Sequence, residues 1–364
     1  MTSLSERSSS PFHQGEIDVQ RRVGVADRMS ERGKTSIRTW MPDQHREFFA
    51  GLEYLLVGSS DRAGWPIPSV LFGPRGFVSS PDPGRLRIGS LPKTFDLLGT
   101  NLSVGASLGV LGIDLTNRRR NRMNGTLITL DQTSFEVAVV QSFGNCPQYI
   151  HTRHISAAPS AAPEQLGPGE VEAFAVLDDA ARELIRQSAT FFVASCAASD
   201  DGSSFDCDIS HRGGKPGFIH VADNQITVPD FAGNSFFNTL GNFMSNPRAG
   251  LLFVDFVVGD VLILHGTIEL LWNDPPIQGF KGAERAWRLH VTAGRRVRAA
   301  AIPLIGEVVE YSPRALTTGA WPRGERSQCP DGAEESEHDS LERPMEIDRA
   351  NLIAARDSRA IFTD

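Results

Sequence analysis

The chain repeats its own pattern at an offset of about 141 residues, and this constrains its fold more than any single motif. Gly73-Pro74-Arg75-Gly76-Phe77-Val78 corresponds to Gly214-Lys215-Pro216-Gly217-Phe218-Ile219. Leu98-Gly99-Thr100-Asn101 corresponds in outline to Leu240-Gly241-Asn242, and Asp114 to Asp255 within apolar runs. Gly125-Thr126-Leu127 corresponds to Gly266-Thr267-Ile268. Anchors that keep their order and spacing argue against chance. The period is too long for a solenoid unit and suits a whole small domain. Two copies of one fold in one chain predict a covalent pseudo-dimer, with a site between the copies.

Each copy is long enough to bury its own core, since 364 residues divide naturally into two domains. A formal charge of −8 argues against bulk nucleic-acid binding, which needs a strongly basic surface, but leaves room for a local basic pocket. The apolar run from Gly250 to Val258 is interrupted by Asp255 and is too short to span a bilayer. The Ser-rich N-terminus carries Glu6 and Arg7 and no apolar segment, so it does not read as a secretory signal. Cysteines at 146, 196, 207 and 329 form no CxxC pair and no regular framework, which fits a reduced cytoplasmic setting. The expectation is a soluble, cytoplasmic protein without nucleic-acid or membrane partners.

Residues 1–39 read as an N-terminal arm, disordered over its first 11 residues and laid over the first domain beyond them. Asp43 is placed to cap a short helix bearing Phe48, Phe49 and Leu52. Short strand-like runs follow at 54–58, 67–72, 76–79, 85–88, 106–115, 119–130 and 135–141, separated by turn residues such as Pro81-Asp82-Pro83-Gly84. The Ala-, Pro- and Gly-rich stretch at 156–172 reads as a linker. A helix after Asp178 opens the second copy, with Ala181, Leu184, Ile185 and Ser188 on its inner face. Strands are expected at 191–196, 218–221, 226–228, 251–257, 261–270, 287–291 and 302–309. A helical stripe of Phe236, Phe237, Leu240, Phe243 and Met244 lies between them, capped near Gly233-Asn234 and stopped by Asn246-Pro247. Residues 324–364 form an acidic, polar tail. The composite is mainly β with a few helices: one barrel at 40–155 and another at 173–323.

The chemistry concentrates in Ser210-His211-Arg212-Gly213-Gly214-Lys215, where two cations and an imidazole stand beside glycines that admit close backbone approach. Downstream, Pro229-Asp230-Phe231-Ala232-Gly233-Asn234 leads into the N-terminus of the helix bearing Phe236 and Phe237. A helix N-terminus offers unpaired N–H groups and partial positive charge, a natural seat for phosphate. Arg212 could supply a bidentate fork and Lys215 a point charge. A solvated hairpin and an ordinary capped helix would look the same by spacing alone. A second basic cluster, Arg118-Arg119-Arg120-Asn121-Arg122, lies in a predicted strand. Alternation there aims Arg118, Arg120 and Arg122 to one face and Arg119 to the other. It either protects an edge or crosses the pseudo-dimer interface to an anion. Arg295, Arg296 and Arg298 read as a solvated strand end. Cys146, His151 and His154 fit no zinc pattern, and the histidines have no nucleophile elbow beside them.

The order strand, Ser-His-Arg-Gly-Gly-x-Pro-Gly-Phe, strand, Pro-Asp-Phe-x-Gly-Asn, helix, Asn-Pro-Arg, long apolar strand resembles the pyridoxamine 5'-phosphate oxidase-like FMN-binding split-barrel family. The resemblance is clearest from Asp178 to Leu271, and Gln141-Ser142-Phe143-Gly144-Asn145-Cys146-Pro147-Gln148-Tyr149-Ile150 is similar to a signature of its tandem-repeat subgroup. It implies two split-barrel repeats, FMN at their interface, and the possibility of further homo-dimerisation. It places Arg212 and Lys215 toward the flavin phosphate, and Asn234, Ser235 and Asn238 near the phosphate and ribityl chain. The first repeat keeps only Arg75 of the cations and has Gly89-Ser90-Leu91-Pro92 where the second has Pro229-Asp230-Phe231-Ala232. One main FMN site is therefore expected, built by Ser210, Arg212, Gly213, Lys215, Pro229, Asp230, Asn234, Ser235 and Asn238, with Arg120 and Arg122 reaching across. The implied function is a flavin-dependent oxidoreductase acting on a small molecule, with NAD(P)H as one possible donor. His211 is the acid–base candidate because imidazole titrates near working pH. The alternative is a non-catalytic split-barrel protein that holds flavin or haem.

Overall fold

Runs of apolar and β-branched residues cut by Gly and Pro make most of this chain strand. The computed structural model describes residues 10–93, 96–144, 146–156, 170–199, 202, 204–273, 275–298 and 305–321. The first nine residues, the polar tail and all of the 156–169 linker beyond Ser156 lie outside these. In the first half the elements are α1 (Gln14–Arg22), α2 (Ala26–Ser36), α3 (Asp43–Ala50), β1 (Tyr54–Ser60), β2 (Pro66–Phe72), β3 (Val78–Ser79) and β4 (Arg85–Ile88). They continue with α4 (Leu97–Asn101), β5 (Ser107–Asp114), β6 (Arg119–Leu130), β7 (Phe135–Gly144) and β8 (Thr152–Ser156). In the second half they are β9 (Glu170–Phe174), α5 (Asp179–Gln187), β10 (Thr190–Ala198), β11 (Phe205–Gly213), β12 (His220–Ala222), β13 (Gln225–Phe231) and α6 (Asn238–Ser245). After these come β14 (Arg248–Val254), β15 (Val261–Leu271), α7 (Pro275–Gln278), β16 (Ala283–Arg298), β17 (Ile305–Glu310) and α8 (Pro313–Leu316).

Two antiparallel sheets hold most of the strands. The first runs β2-β1-β5-β6-β7-β4-β3 and the second β11-β10-β14-β15-β16-β13-β12. Replacing each strand of the first by its counterpart in chain order reproduces the second. β9 extends the second sheet by pairing with β16, and β17 pairs with β8. Each half has its own apolar core, one around Phe49, Leu55 and Val110 and the other around Phe191, Leu251 and Trp287. A third cluster joins them: Leu56, Val70 and Leu111 meet Phe192, Ile209 and Ile263. The strands cross there at backbone distance. A Cβ on Gly109 of β5 would lie 2.6 Å from Asp208 Cα in β11, and one on Gly250 of β14 would lie 2.4 Å from the Pro66 carbonyl oxygen. Gly109 and Gly250 are 141 residues apart, the offset seen in the sequence.

Several expectations change. The arm is not a loose cover on the first half: α1 packs on α6 of the second. Gly15 and Gly241 let the two backbones touch, since a Cβ on Gly15 would meet the Gly241 oxygen at 2.3 Å. The arm also spans back, because the Gln141 amide donates to Pro11 O at 2.7 Å and Phe12 and Phe143 both pack edge-on against Phe236. The apolar face of these helices is narrow, so their scattered charge hid their periodicity. α6 begins later than its cap signal: Phe237, in the left-handed region at φ 63°, precedes it, and Asn234 Oδ1 accepts from Phe236 N instead. Pro42, not Asp43, precedes α3, and Asp43 pairs with Arg46 within it. Arg296 is not solvated, since it is buried and bonded to Glu172 and Asp178. Cys196 and Cys207 face each other in the β10–β11 register and are joined in a disulfide. Eleven residues of separation is a hairpin register, which motif counting does not detect. No helix among the described residues is long and apolar enough to cross a membrane.

Candidate functional site

Alternation along β6 sets Arg120, Arg122 and Asn124 on one face, and that face meets β11 of the second half. Arg122 Nη1 donates to Asp208 Oδ1 at 3.1 Å, and its Nη2 donates to Ser210 Oγ. Asn124 Nδ2 donates to Asp208 Oδ1 at 2.6 Å, while Asn242 Nδ2 on α6 donates to Asp208 Oδ2 at 3.1 Å. Thr239 Oγ1, one turn earlier on α6, bonds Ser210 Oγ at 3.0 Å. Asp208 thus ties β6, β11 and α6 together from beneath.

Above this lattice lies a cavity of about 130 Å³, lined by Arg120, Arg122, Ser210, His211, Arg212, Gly213, Pro229, Asp230, Asn234, Ser235 and Asn238. These are the sequence candidates, drawn from both halves, with one exception. Lys215 Nζ donates to the Thr318 carbonyl at 2.7 Å and does not line the cavity. The strand ends at Gly213 and the chain then turns, with Phe218 N on Lys215 O, which carries Lys215 away from the face that holds Arg212. Arg118 also departs from expectation. Its φ of 64° puts it in the turn before β6, where it bonds Ile150 O and pairs with Glu310. Arg119 lies over the Phe48 ring, on the opposite side as expected.

The sequence reading missed part of the lining. Tyr149 stacks on Phe231 with ring centres 5.0 Å apart, its N–H donates to Ser312 Oγ at 3.2 Å, and its hydroxyl bonds Ala232 O at 3.3 Å. Cys146, Gln148, Thr239 and Phe237 complete the wall. Tyr149, Ser235 and Phe237 all have φ of 63–64° without being glycine. Such backbone is costly for bulky residues and collects at binding sites. The one available signal was Gln148-Tyr149 inside the stretch quoted for the family resemblance.

The electrostatics are one-sided. Arg212 Nη1 donates to Asp230 Oδ1 at 3.0 Å, and Asp230 also faces Arg285 Nη1 at 3.6 Å. Arg122 has Asp208. Among the described residues Arg120 has no carboxylate contact; its Nη2 donates to the Cys146 carbonyl at 2.8 Å. Burial, reinforced by Arg122 and Arg212, pushes the Arg120 guanidinium down to about 9. Burial likewise lowers Arg122, with Asp208 opposing. His211 is held well below its ordinary value, first by burial and then by Arg120, His151 and Arg212, so it is neutral at pH 7. The Nε atoms of Arg120, Arg122 and Arg212 and Nε2 of His211 are shut from solvent without a hydrogen-bond partner. Buried donors and cations of this kind are costly unless an acceptor of negative charge joins them. The first turn of α6 borders the same space and adds the positive end of its dipole. The donor set fits a phosphate group. At about 130 Å³ the cavity is smaller than the ~300–1,000 Å³ that encloses a whole drug-sized ligand. Its size is that of a head group and not of a whole cofactor.

No family model matches the sequence, and no curated protein matches it. Among solved structures, HupZ of Group A Streptococcus is similar at 12% identity and a TM-score of 0.26, over 37% of this chain and 98% of that one. A FAD-binding protein from Mesorhizobium loti is similar at 11% identity and a TM-score of 0.23, over 35% and 98%. The MrkH–c-di-GMP complex of K. pneumonia gives 9% identity and a TM-score of 0.21, over 71% and 87%. Overlaps at these scores carry no functional assignment.

Proposed function

We propose that this chain binds FMN through its phosphate in the cavity between its two halves and acts as a flavin-dependent oxidoreductase on a small molecule. The observation that carries the reading is the convergence of three guanidinium side chains, Arg122 buried and Arg120 and Arg212 half-buried, with the first turn of α6 on one cavity. A phosphate dianion there would accept from the guanidinium and backbone N–H groups that line it, with charge-assisted bonds worth about 1.5–3 kcal/mol each. The two sheets of matching strand order are read as split-barrel repeats at 40–155 and 173–323, packed as an intrachain pseudo-dimer. Arg120 and Arg122 come from the first repeat, and Ser210, His211, Arg212, Asp230, Asn234, Ser235 and Asn238 from the second.

Bound FMN would supply hydride transfer. The chain's own residues bind and orient: the arginines hold the phosphate, Asp230 fixes the Arg212 fork, and Tyr149 and Phe231 give the ring system an aromatic wall. His211, neutral at pH 7, serves as a hydrogen-bond partner and not as a cationic acid.

The test is equilibrium titration of the full chain with FMN and with riboflavin, which lacks the phosphate. FMN should bind at least tenfold more tightly, the equivalent of about 1.4 kcal/mol or more. A chain that takes up neither, or binds both equally, sinks the reading. A second reading, a non-catalytic flavin holder, is favoured by one observation: the cavity's Asp230 is tied to two arginines and its His211 is held neutral, so neither is poised as an acid. Bleaching of the flavin bands by NADPH and their return in air would support the oxidoreductase. Flavin bands bleached only by dithionite would support the holder, and a Soret band would point to haem.

A further inference from the structure

Glu16 lies behind the cavity wall, contributed by an arm far away in sequence. It is buried on α1, where the helices meet at Gly15 and Gly241. Its Oε2 accepts the His13 N–H at 2.9 Å, completing the cap of α1. Its Oε1 accepts the side-chain amide of Asn238, the first residue of α6 and part of the cavity lining. His13 holds the next turn of α6 through Asn242 Oδ1 at 2.9 Å, and Asn242 in turn holds Asp208. The arm thus grips α6 at two successive turns, both on the side that carries the site.

We propose that α1 is a working part of the ligand site, with Glu16 as a positioning residue that fixes Asn238 and sets the charge behind Arg122. This rests on the phosphate-binding reading above. The groups that face Glu16 are few. On its own arm there is His13. β11 contributes Asp208, with Asp206 further along toward His13, β6 contributes Arg122, and α6 presents Asn238 and Asn242 but no charge. Burial, with Asp208 adding to it, pushes the Glu16 carboxyl up to about 8. It is therefore protonated at neutral pH and cancels none of the Arg122 charge. Ionisation as pH rises places a second carboxylate beside Arg122 and weakens the hold on an anion.

The experiment measures dissociation constants for FMN and for inorganic phosphate with the full chain, Glu16→Gln and Glu16→Ala, from pH 6.5 to 9. Circular dichroism confirms folding of each. The quantity read is the ratio of wild-type to Glu16→Gln constants. Any other group that titrates in this range does so in both chains and is common to both terms of the ratio. The ratio should climb about fivefold from pH 6.5 to 9 for both probes, as expected for one charge near the site. Glu16→Ala, which releases Asn238, should weaken FMN about tenfold at pH 6.5. A ratio flat across the range overturns the proposal, as does an unweakened Glu16→Ala. If Glu16→Ala does not fold, the Glu16→Gln ratio decides alone. Failure of the wild-type chain to bind either probe at any pH overturns this proposal together with the phosphate reading. A flat ratio in a chain that binds FMN overturns this one only.

Discussion

A half-buried guanidinium with no carboxylate partner costs the folded state, and among the described residues Arg120 is such a case. Arg120→Leu should remove that cost and raise the melting temperature of the ligand-free chain by roughly 2–4 °C per kcal/mol recovered, while weakening FMN. A melting temperature that falls would show that Arg120 is held well without an anion. Arg212→Ala should raise the FMN dissociation constant tenfold or more through loss of a charge-assisted contact. Arg75→Ala should change it less than twofold, because Arg75 is an exposed side chain that meets only Glu53 at 3.3 Å. Equal losses at the two positions would mean two equivalent sites. At this scale strand alternation made Arg120 and Arg122 legible, because side-chain direction in a strand depends only on parity. Lys215 was misread because closeness to Arg212 in sequence does not survive the turn after Gly213, which sends its ammonium to the Thr318 carbonyl. The role of Glu16 at the site was not legible: its local contact with His13 only caps α1, and Asn238 lies more than two hundred residues away.

Among the elements, α4 shows how a buried acid makes stability depend on pH. Asp96 caps this helix, its Oδ1 accepting Leu98 N at 2.9 Å and its Oδ2 accepting the Ser69 hydroxyl. Burial pushes it up to about 6, against those two bonds. The folded chain therefore keeps a proton there that the unfolded chain has lost, so the contribution is full below about 3.8 and falls away as pH rises through 6. Denaturant midpoints of the wild type and Asp96→Asn, compared at pH 4 and pH 7, should differ in slope by roughly 2–3 kcal/mol at most. Parallel slopes would rule this out. Most strands were legible as alternating runs between Gly and Pro, and α5 from its cap at Asp178. α1 and α2 were not, because a helix whose contact depends on Gly15 rather than on a broad apolar stripe leaves little periodicity to read.

For the whole molecule, matching strand order gives each half a potential site, and the residues keep only one of them cationic. At the 141-residue offset Arg212 answers to Leu71, His211 to Val70, Arg120 to Val261 and Arg122 to Ile263. Val70, Val261 and Ile263 are buried together in the shared apolar cluster. By the Leu98–Leu240 anchor, whose offset is 142, Asp96 answers to Asn238, and its carboxylate would repel a phosphate. The chain should therefore bind one FMN, measurable as the stoichiometry of a calorimetric titration; two would contradict this account. The matching strand order follows sequence anchors that are glycines and apolar residues, the kinds that packing constrains. That the halves lean on each other through Gly109 and Gly250 was not legible, since a glycine's close neighbour is fixed only once the chain folds. At Gly109 backbone rests on backbone, and at Gly250 the contact is the Pro66 carbonyl and the rigid ring of Pro68, so neither crossing has a free side chain to slide or rotate. The seam therefore behaves as a rivet. Parting the halves would tear both crossings, so on the proposed reading a ligand would load past the short segments around Tyr149 and Ser235, by loop motions of nanoseconds to microseconds and not the slower swing of domains.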